Sequence, residues 1–250
     1  IVVAQHEFGF GDFYAPMLQQ LWNEGRGLPT LINLHTILRN PRGEWKKTVQ
    51  ITQDLANNSD GLIVMAKKGI ERLTSPPYNI EPQKIKHIDH GVTMRRDLID
   101  NRNNLRGQYG LEGMFVAITP GMKSDNKGLE YGIEAYGNFV ESLSAEQRRQ
   151  CVYLMPGEFH RRFMEYLGGK AYRECKAKLE GMIRKKKLKK LEINYDGSSS
   201  DMGKLTRKDL EENDIVFEEV FLPDESLLER ITVSDVTVLP YCNPDQITSG

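Results

Sequence analysis

Short apolar runs alternate with stretches of helical period along almost the whole of this chain. In the first part, the apolar runs predict strands at 1–5, 29–35, 60–65 and 84–88. The periodic stretches between them predict helices at 12–25, 44–57 and 67–75. Each helix between two such strands returns the chain to the same end of the sheet, so the strands become parallel. The pattern therefore predicts an α/β fold.

A second series of the same kind follows a polar segment, 93–112, that has neither period. Its predicted strands are 113–118, 150–156, 214–218 and 235–240, and the helices between them are 127–143, 160–185 and 224–232. We predict two Rossmann-like domains, 1–92 and 113–250, that face each other across a cleft, with 93–112 as the hinge. Residues 184–213 are predicted to be a surface insertion of the second domain, because a basic run and a serine-rich stretch interrupt the series.

The composition excludes several classes of partner. The chain has 34 basic and 35 acidic side chains, so it carries no overall charge that would attract nucleic acid. The basic run Arg184–Lys187 indicates at most a peripheral membrane contact, and a solvated helix end explains it equally. Three widely spaced cysteines form neither a disulfide framework nor a zinc pattern, and no apolar run approaches the roughly 20 residues that cross a bilayer. These features favour a cytoplasmic protein.

The loops that follow the strands are the natural place for a ligand, because open α/β sheets bind ligands beyond the carboxyl ends of their strands. The loop from Gly121 to Gly128 follows one strand and opens a helix, where free N–H groups and the helix dipole attract anions. Lys127 adds a positive charge at the same place. The sequence predicts a phosphate site here, and an ordinary exposed lysine is the alternative.

Motifs in these loops follow the order of a known enzyme family. They are Gln5-His6-Glu7-Phe8-Gly9, Leu34-His35-Thr36, Val64-Met65 with Gly69, His90-Gly91-Val92, Lys127-Gly128-Leu129-Glu130-Tyr131 with Ile133-Glu134-Ala135, Tyr153-Leu154 with Gly157 and His160, Tyr172-Arg173, Asp235-Val236, Pro240-Tyr241, and Gln246-Ile247-Thr248-Ser249-Gly250. The chain resembles the retaining glycosyltransferases of family 4, which have the GT-B fold. Within that family it is similar to a bacterial subgroup with His-Glu-Tyr/Phe-Gly and Gln-Ile-Thr-Ser-Gly motifs.

The resemblance implies an activity. Such an enzyme moves a mannose- or glucose-type sugar from a nucleotide-sugar donor to a glycan, a lipid or another hydroxyl acceptor, with retention of configuration. It implies no cofactor and no metal, and the sequence contains no Asp-x-Asp motif that would hold a divalent ion. Two alternatives stay open: a non-catalytic nucleotide-sugar-binding module, and a sugar-nucleotide epimerase or phosphorylase of the same fold.

The resemblance also assigns roles to residues of the second domain. Lys127 contacts the donor phosphates in the loop that begins at Gly121, and Lys123 falls, with one residue of slippage, in a slot where the family has an arginine. That departure favours the non-catalytic alternative. Further contacts to the donor sugar and phosphates are assigned to Gln246, Thr248, Ser249 and Gly250.

In the first domain the resemblance implies that His35 contacts the donor sugar near the reacting centre. His6 and Glu7 are expected to orient an acceptor hydroxyl. An imidazole can donate or accept a hydrogen bond in such a site. For each histidine, a structural role in its loop is the alternative.

We expect the sequence to be truncated at both ends. It opens directly on the predicted strand at Ile1, so the glycine-rich loop of the family's first domain is missing. The family's second domain uses two glutamates near its end, but no glutamate occurs after Ser234, and the second slot falls beyond Gly250. The 250-residue piece is therefore predicted to be inactive by itself.

Overall fold

The computed structural model describes most of the chain. The described residues are 1–6, 14–24, 28–38, 47–92, 94–159, 164–165, 169–194 and 206–241. The chain divides into two compact units, a first within Ile1–Thr93 and a second within Met94–Asn243. The boundaries at 92 and 113 stay predictions.

The first unit is built on a four-stranded parallel sheet with the order β1-β2-β3-β4. Its elements in chain order are β1 (Val2–His6), α1 (Tyr14–Asn23), β2 (Thr30–Leu34), α2 (Lys47–Asn57), β3 (Gly61–Val64), α3 (Lys67–Thr74), a 3-10 turn (Pro82–Lys84) and β4 (Ile85–His87). Alternate residues of β2 point into the core, where Ile32 and Leu34 pack with Leu55 of α2 and Leu73 of α3. The apolar runs of the sequence thus form the strands, and the apolar faces of the helices cover them.

The second unit is built on a five-stranded parallel sheet with the order β7-β8-β6-β5-β9. Its elements are α4 (Arg96–Asp100), α5 (Arg102–Gln108), β5 (Phe115–Ile118), a 3-10 turn (Asp125–Lys127), α6 (Leu129–Glu141), α7 (Ala145–Arg149), β6 (Cys151–Pro156), α8 (Lys170–Lys185), β7 (Lys190–Asn194), α9 (Arg207–Glu212), β8 (Ile215–Glu219), α10 (Asp224–Val233) and β9 (Val236–Thr237). β9 covers only part of the predicted strand 235–240.

Two cores lie on the opposite faces of this second sheet. On one face Tyr153 and Phe217 pack with Ile133 of α6 and Leu179 of α8. On the other face Val116, Val152, Leu154 and Val216 pack with residues of α5, α9 and α10. Helices on both faces of a parallel sheet are the Rossmann-like arrangement. The predicted α/β class is confirmed.

The predicted hinge contains regular structure that the sequence did not indicate. The segment 93–112 includes α4 and α5, and Leu98 and Leu105 lie in the core of the second unit. Arg106 is buried and donates to the carbonyl oxygens of Leu111 (2.9 Å), Met114 and Val233 (2.5 Å). Helices this short contribute one core leucine each and show no period, so the sequence did not indicate them; the role of 93–112 as a hinge stays a prediction.

The predicted surface insertion also contains elements of the second unit. β7 is an edge strand that pairs with β8, and α9 begins at a capping box formed by Thr206 and Asp209. Leu188 and Leu210 are buried in the two cores. The insertion is therefore wrong for these segments, while residues 195–205 lie outside the described ones. Across the described ranges, no helix is long and apolar enough to span a bilayer.

Candidate functional site

The loops that follow β5 and β6 meet beyond the carboxyl ends of these strands, beside β8. Their backbones are hydrogen-bonded to the neighbouring strand or loop in each case. Gly121 N donates to Pro156 O at 3.1 Å, Lys123 N donates to Glu158 O at 2.8 Å, and Gly157 N donates to Glu218 O at 3.0 Å. A parallel β-bridge between Lys123 and Phe159 continues this pairing. The edge at which the sequence predicts a ligand is thus a hydrogen-bonded frame.

Two glycines allow the loops after β5 and β6 to approach closely. Gly157 has a φ of +122°, and a Cβ atom placed there would lie 2.2 Å from the carbonyl oxygen of Gly121. Gly121 has a φ of +98°, which side chains rarely adopt. Glycine at 157 is therefore required both by its backbone conformation and by the space available.

Lys127 lies in the same loop as Gly121 and Lys123, directly before α6. It is the last residue of the 3-10 turn, Gly128 follows in the left-handed conformation with a φ of +65°, and α6 begins at Leu129. The Lys127 ammonium donates to the Tyr241 hydroxyl at 3.0 Å and lies 4.5 Å from the centre of its ring. Tyr241 is part of the Pro240-Tyr241 motif, but the sequence assigned it no role. Its contact with Lys127 is seen only in the fold.

The side chain of Lys123, in contrast to that of Lys127, points into the interior of the second unit. Its side chain is 2% exposed, and its ammonium donates to Gly157 O and, at 3.1 Å, to Glu218 O. Burial lowers the pKa of Lys123 to about 8, although the nearby carboxylates of Glu219 and Glu218 act against the shift. A direct phosphate contact by Lys123 stays a prediction, and these contacts disfavour it because they keep the ammonium on backbone oxygens.

Charged pairs surround the frame on the side of β7 and β8. Lys176 of α8 bonds to Glu192 at 2.8 Å and to Glu219 at 3.2 Å. Burial acts to raise the pKa of Glu192, but hydrogen bonds from Lys176 and Lys190 outweigh it and lower the pKa to about 2. These pairs attach edge strand β7 to α8 and β8.

In the first unit, three polar side chains meet at the carboxyl ends of β1 and β2. Gln5 Oε1 lies 2.8 Å from Asn33 Nδ2 and 2.8 Å from His35 Nε2. An amide oxygen only accepts, so the ring can donate to Gln5 when His35 carries its proton on Nε2. Gln5 therefore holds the His35 ring beside the ends of β1 and β2, a role the sequence alone did not indicate.

His6 lies next to this group but is 1% exposed, so its side chain belongs to the interior of the unit. Its backbone oxygen accepts from His35 N at 3.0 Å and extends the pairing of β1 and β2. The roles of His35 and His6 in substrate binding stay predictions. The remaining predicted site residues lie outside the described ones, namely Glu7, Gln246, Thr248, Ser249 and Gly250.

No His, Cys, Asp and Glu side chains gather in groups of three or more that could hold a metal ion within the described ranges. The expectation that the protein needs no metal stays a prediction, since part of the chain is outside those ranges.

No protein-family model and no curated protein matches the chain. Several solved structures share its fold. An α,α-trehalose-phosphate synthase (UDP-forming) from Burkholderia xenovorans, in complex with glucose-6-phosphate, has a TM-score of 0.57 at 12% identity over 93% of this chain and 56% of its own. Anabaena Alr3699/HepE in complex with UDP has a TM-score of 0.58 at 12% identity over 98% of this chain and 54% of its own.

A third structure of the same fold belongs to a protein that is named as a phosphatase. The N-terminal domain of Candida albicans trehalose-6-phosphate phosphatase has a TM-score of 0.60 at 10% identity over 96% of this chain and 50% of its own. The chain thus spans about half the length of these proteins. At such low identity the likeness establishes a common fold and leaves the activity to be argued from the site.

Proposed function

We propose that this chain is part of a glycosyltransferase that moves a sugar from a nucleoside diphosphate donor to a hydroxyl acceptor. The observation that carries the proposal is Lys127, a cation beside the start of α6 at the carboxyl edge of a parallel sheet. Two neighbours in fold were solved with UDP or with glucose-6-phosphate, and one is named as a UDP-forming synthase. Both facts favour a nucleotide-sugar donor.

The chemistry of the transfer explains why a lysine suits this place. The bond between the anomeric carbon and the diphosphate oxygen breaks, and the leaving diphosphate gains negative charge. A positioned ammonium and the N–H groups of a helix start stabilise such charge without a cofactor. Tyr241 keeps the Lys127 ammonium in place through its hydroxyl and its ring.

The finer assignment rests on the resemblance described above. We propose a family 4-like, retaining enzyme that transfers a mannose- or glucose-type sugar to a glycan, a sugar or a lipid. His35, held by Gln5, is proposed to contact the donor sugar from the first unit. The complex of Alr3699/HepE with UDP and glucose supports a hexose ligand for this fold.

Calorimetric titration of UDP, GDP and ADP into the intact protein tests the proposal. Lys127→Ala is expected to weaken the preferred nucleotide by about 1.5–3 kcal/mol, the cost of a lost hydrogen bond to a charged group. Lys208→Ala is the matched control, because Lys208 is 78% exposed on α9 and pairs only weakly with Glu212 at 3.8 Å. Equal affinity of the wild type and Lys127→Ala would remove Lys127 from the site.

A non-catalytic binding module is the second candidate, and the inward direction of Lys123 favours it. The family's arginine at this slot contacts the donor phosphates, whereas Lys123 bonds to backbone oxygens. An intact protein that binds a nucleotide sugar but transfers nothing to any acceptor would support this candidate. Epimerisation or cleavage of the donor without an acceptor would instead point to an epimerase or phosphorylase.

A further inference from the structure

Lys123 is a charged side chain in an interior position, and its direct partners are two main-chain oxygens. One belongs to Gly157 in the loop after β6, and the other belongs to Glu218 in β8. Lys123 itself lies in the loop after β5. A single ammonium therefore joins all three of the segments that frame the candidate site.

The carboxylates nearest to Lys123 are engaged elsewhere. Glu218 is buried against Arg230, with Oε1 3.1 Å from its Nε, and Glu219 bonds to Lys176 at 3.2 Å. Glu192 of β7 also bonds to Lys176. The Lys123 ammonium lies 5.7 Å from the centre of the Phe217 ring, and the two main-chain oxygens accept its hydrogen bonds.

We propose that Lys123 is a positioning residue that fixes the Gly121–Gly128 loop in the conformation that presents Lys127 to the donor phosphates. The inference rests on the proposed function for the role of Lys127. The loop has one anchor at Gly121, through Pro156, and one at Lys123, through Glu158, Gly157 and Glu218. Lys127 follows the second anchor by four residues, so its place depends on that anchor.

A lowered pKa agrees with this role. Burial lowers the pKa of Lys123 to about 8 against the pull of Glu219, Glu218 and Glu192, and Lys176 adds to the lowering. An apolar side chain at this position would avoid that cost. The lysine is therefore suited to bonding the loops rather than to filling space.

Hydrogen exchange of the intact protein tests the loop anchor without any ligand. Lys123→Met is expected to speed exchange at the amides of Gly121, Gly157 and position 123 itself, and Lys186→Met, at the far end of α8, is expected to leave them unchanged. Lys123→Gln is the second variant, in case Lys123→Met does not fold. Wild-type exchange rates in the loop of a folded variant would overturn the inference.

A double-mutant cycle with Lys127→Ala tests the coupling to the ligand, with UDP, GDP and ADP as probes. Lys123→Met is expected to weaken binding roughly tenfold in the wild-type background and to have little effect once Lys127 is alanine, as for residues that act through one another. Equal losses in both backgrounds would overturn the positioning role and indicate direct contact. Failure of the wild type to bind any of the three nucleotides would overturn the proposed function itself.

Discussion

Gly157→Ala is expected to disrupt the frame beyond the second sheet. The alanine Cβ would lie 2.2 Å from the carbonyl oxygen of Gly121, and this atom belongs to the backbone and cannot rotate away. The φ of +122° adds strain of about 1–3 kcal/mol for a residue with a side chain. Overpacking typically costs another 1–3 kcal/mol, so we expect a loss of roughly 2–6 kcal/mol in the free energy of unfolding.

Urea unfolding and nucleotide titration of the same variant measure the two consequences. The loops after β5 and β6 must separate, so affinity for the preferred nucleoside diphosphate is expected to fall along with stability. Gly113→Ala is the matched control, because Gly113 has a φ of +69° but no neighbouring atom within 4 Å of the place that an alanine Cβ would take. It is expected to lose only about 1–2 kcal/mol, with unchanged affinity. Stability of Gly157→Ala equal to that of this control would refute the steric argument.

Three further predictions concern single side chains. The folded-state pKa of Lys123 is about 8 and its ordinary value is 10.5, so the cost of burying its charge is complete below pH 8 and is relieved as the pH rises towards 10.5. Urea unfolding should therefore show wild type gaining about 3 kcal/mol relative to Lys123→Met over that interval, and a flat difference would contradict the burial argument. Tyr241→Leu is expected to weaken nucleotide binding in calorimetry more than Tyr241→Phe, which keeps the ring beside Lys127; equal losses would exclude the ring. Arg106→Met should destabilise the second unit by about 3–5 kcal/mol in urea, because its carbonyl partners and Asp235 lose a buried cation; a loss under ~1 kcal/mol would contradict a stabilising role of the Arg106 hydrogen bonds.

The sequence was sufficient to predict most of the strands, because they are continuous apolar runs, whereas the mixed sequence of edge strand β7 was not recognised. Ile32 and Leu34, or Val152 and Leu154, are followed by polar loops and then by periodic helices, which leaves little choice of fold. The short helices α4 and α5 escaped prediction since each has too few residues to display a period. Their place is decided by tertiary packing of Leu98 and Leu105.

The loop that holds Lys123 and Lys127 follows β5, as the sequence predicts, but the directions of their side chains could not be predicted. Local pattern alone does not distinguish the directions of the Lys123 and Lys127 side chains, which are two cations four residues apart in one loop. Only the pairing of that loop with Glu158 and Phe159 turns Lys123 inward and leaves Lys127 near Tyr241. Such pairing joins residues far apart in the chain, so it cannot be predicted from the local sequence pattern.

The contact between Gln5 and His35 is an intermediate case. Gln5 lies in β1 and His35 directly follows β2, and the register of these parallel strands pairs Gln5 with Asn33. Side chains at one end of adjacent strands on the same face lie close together, so a polar group was foreseeable. The sharing of one amide oxygen by Asn33 and His35 depends on side-chain conformations that the sequence does not determine.

The most direct test of the proposed function is acceptor-dependent release of a nucleoside diphosphate. The intact protein would be incubated with UDP-, GDP- and ADP-sugars, each with and without glucose-6-phosphate, oligosaccharide or lipid acceptors. We expect one donor to release its nucleoside diphosphate only when an acceptor is present, with Lys127→Ala strongly impaired and Lys208→Ala unaffected. Nucleotide binding without release for any donor and acceptor would contradict the assignment as a glycosyltransferase.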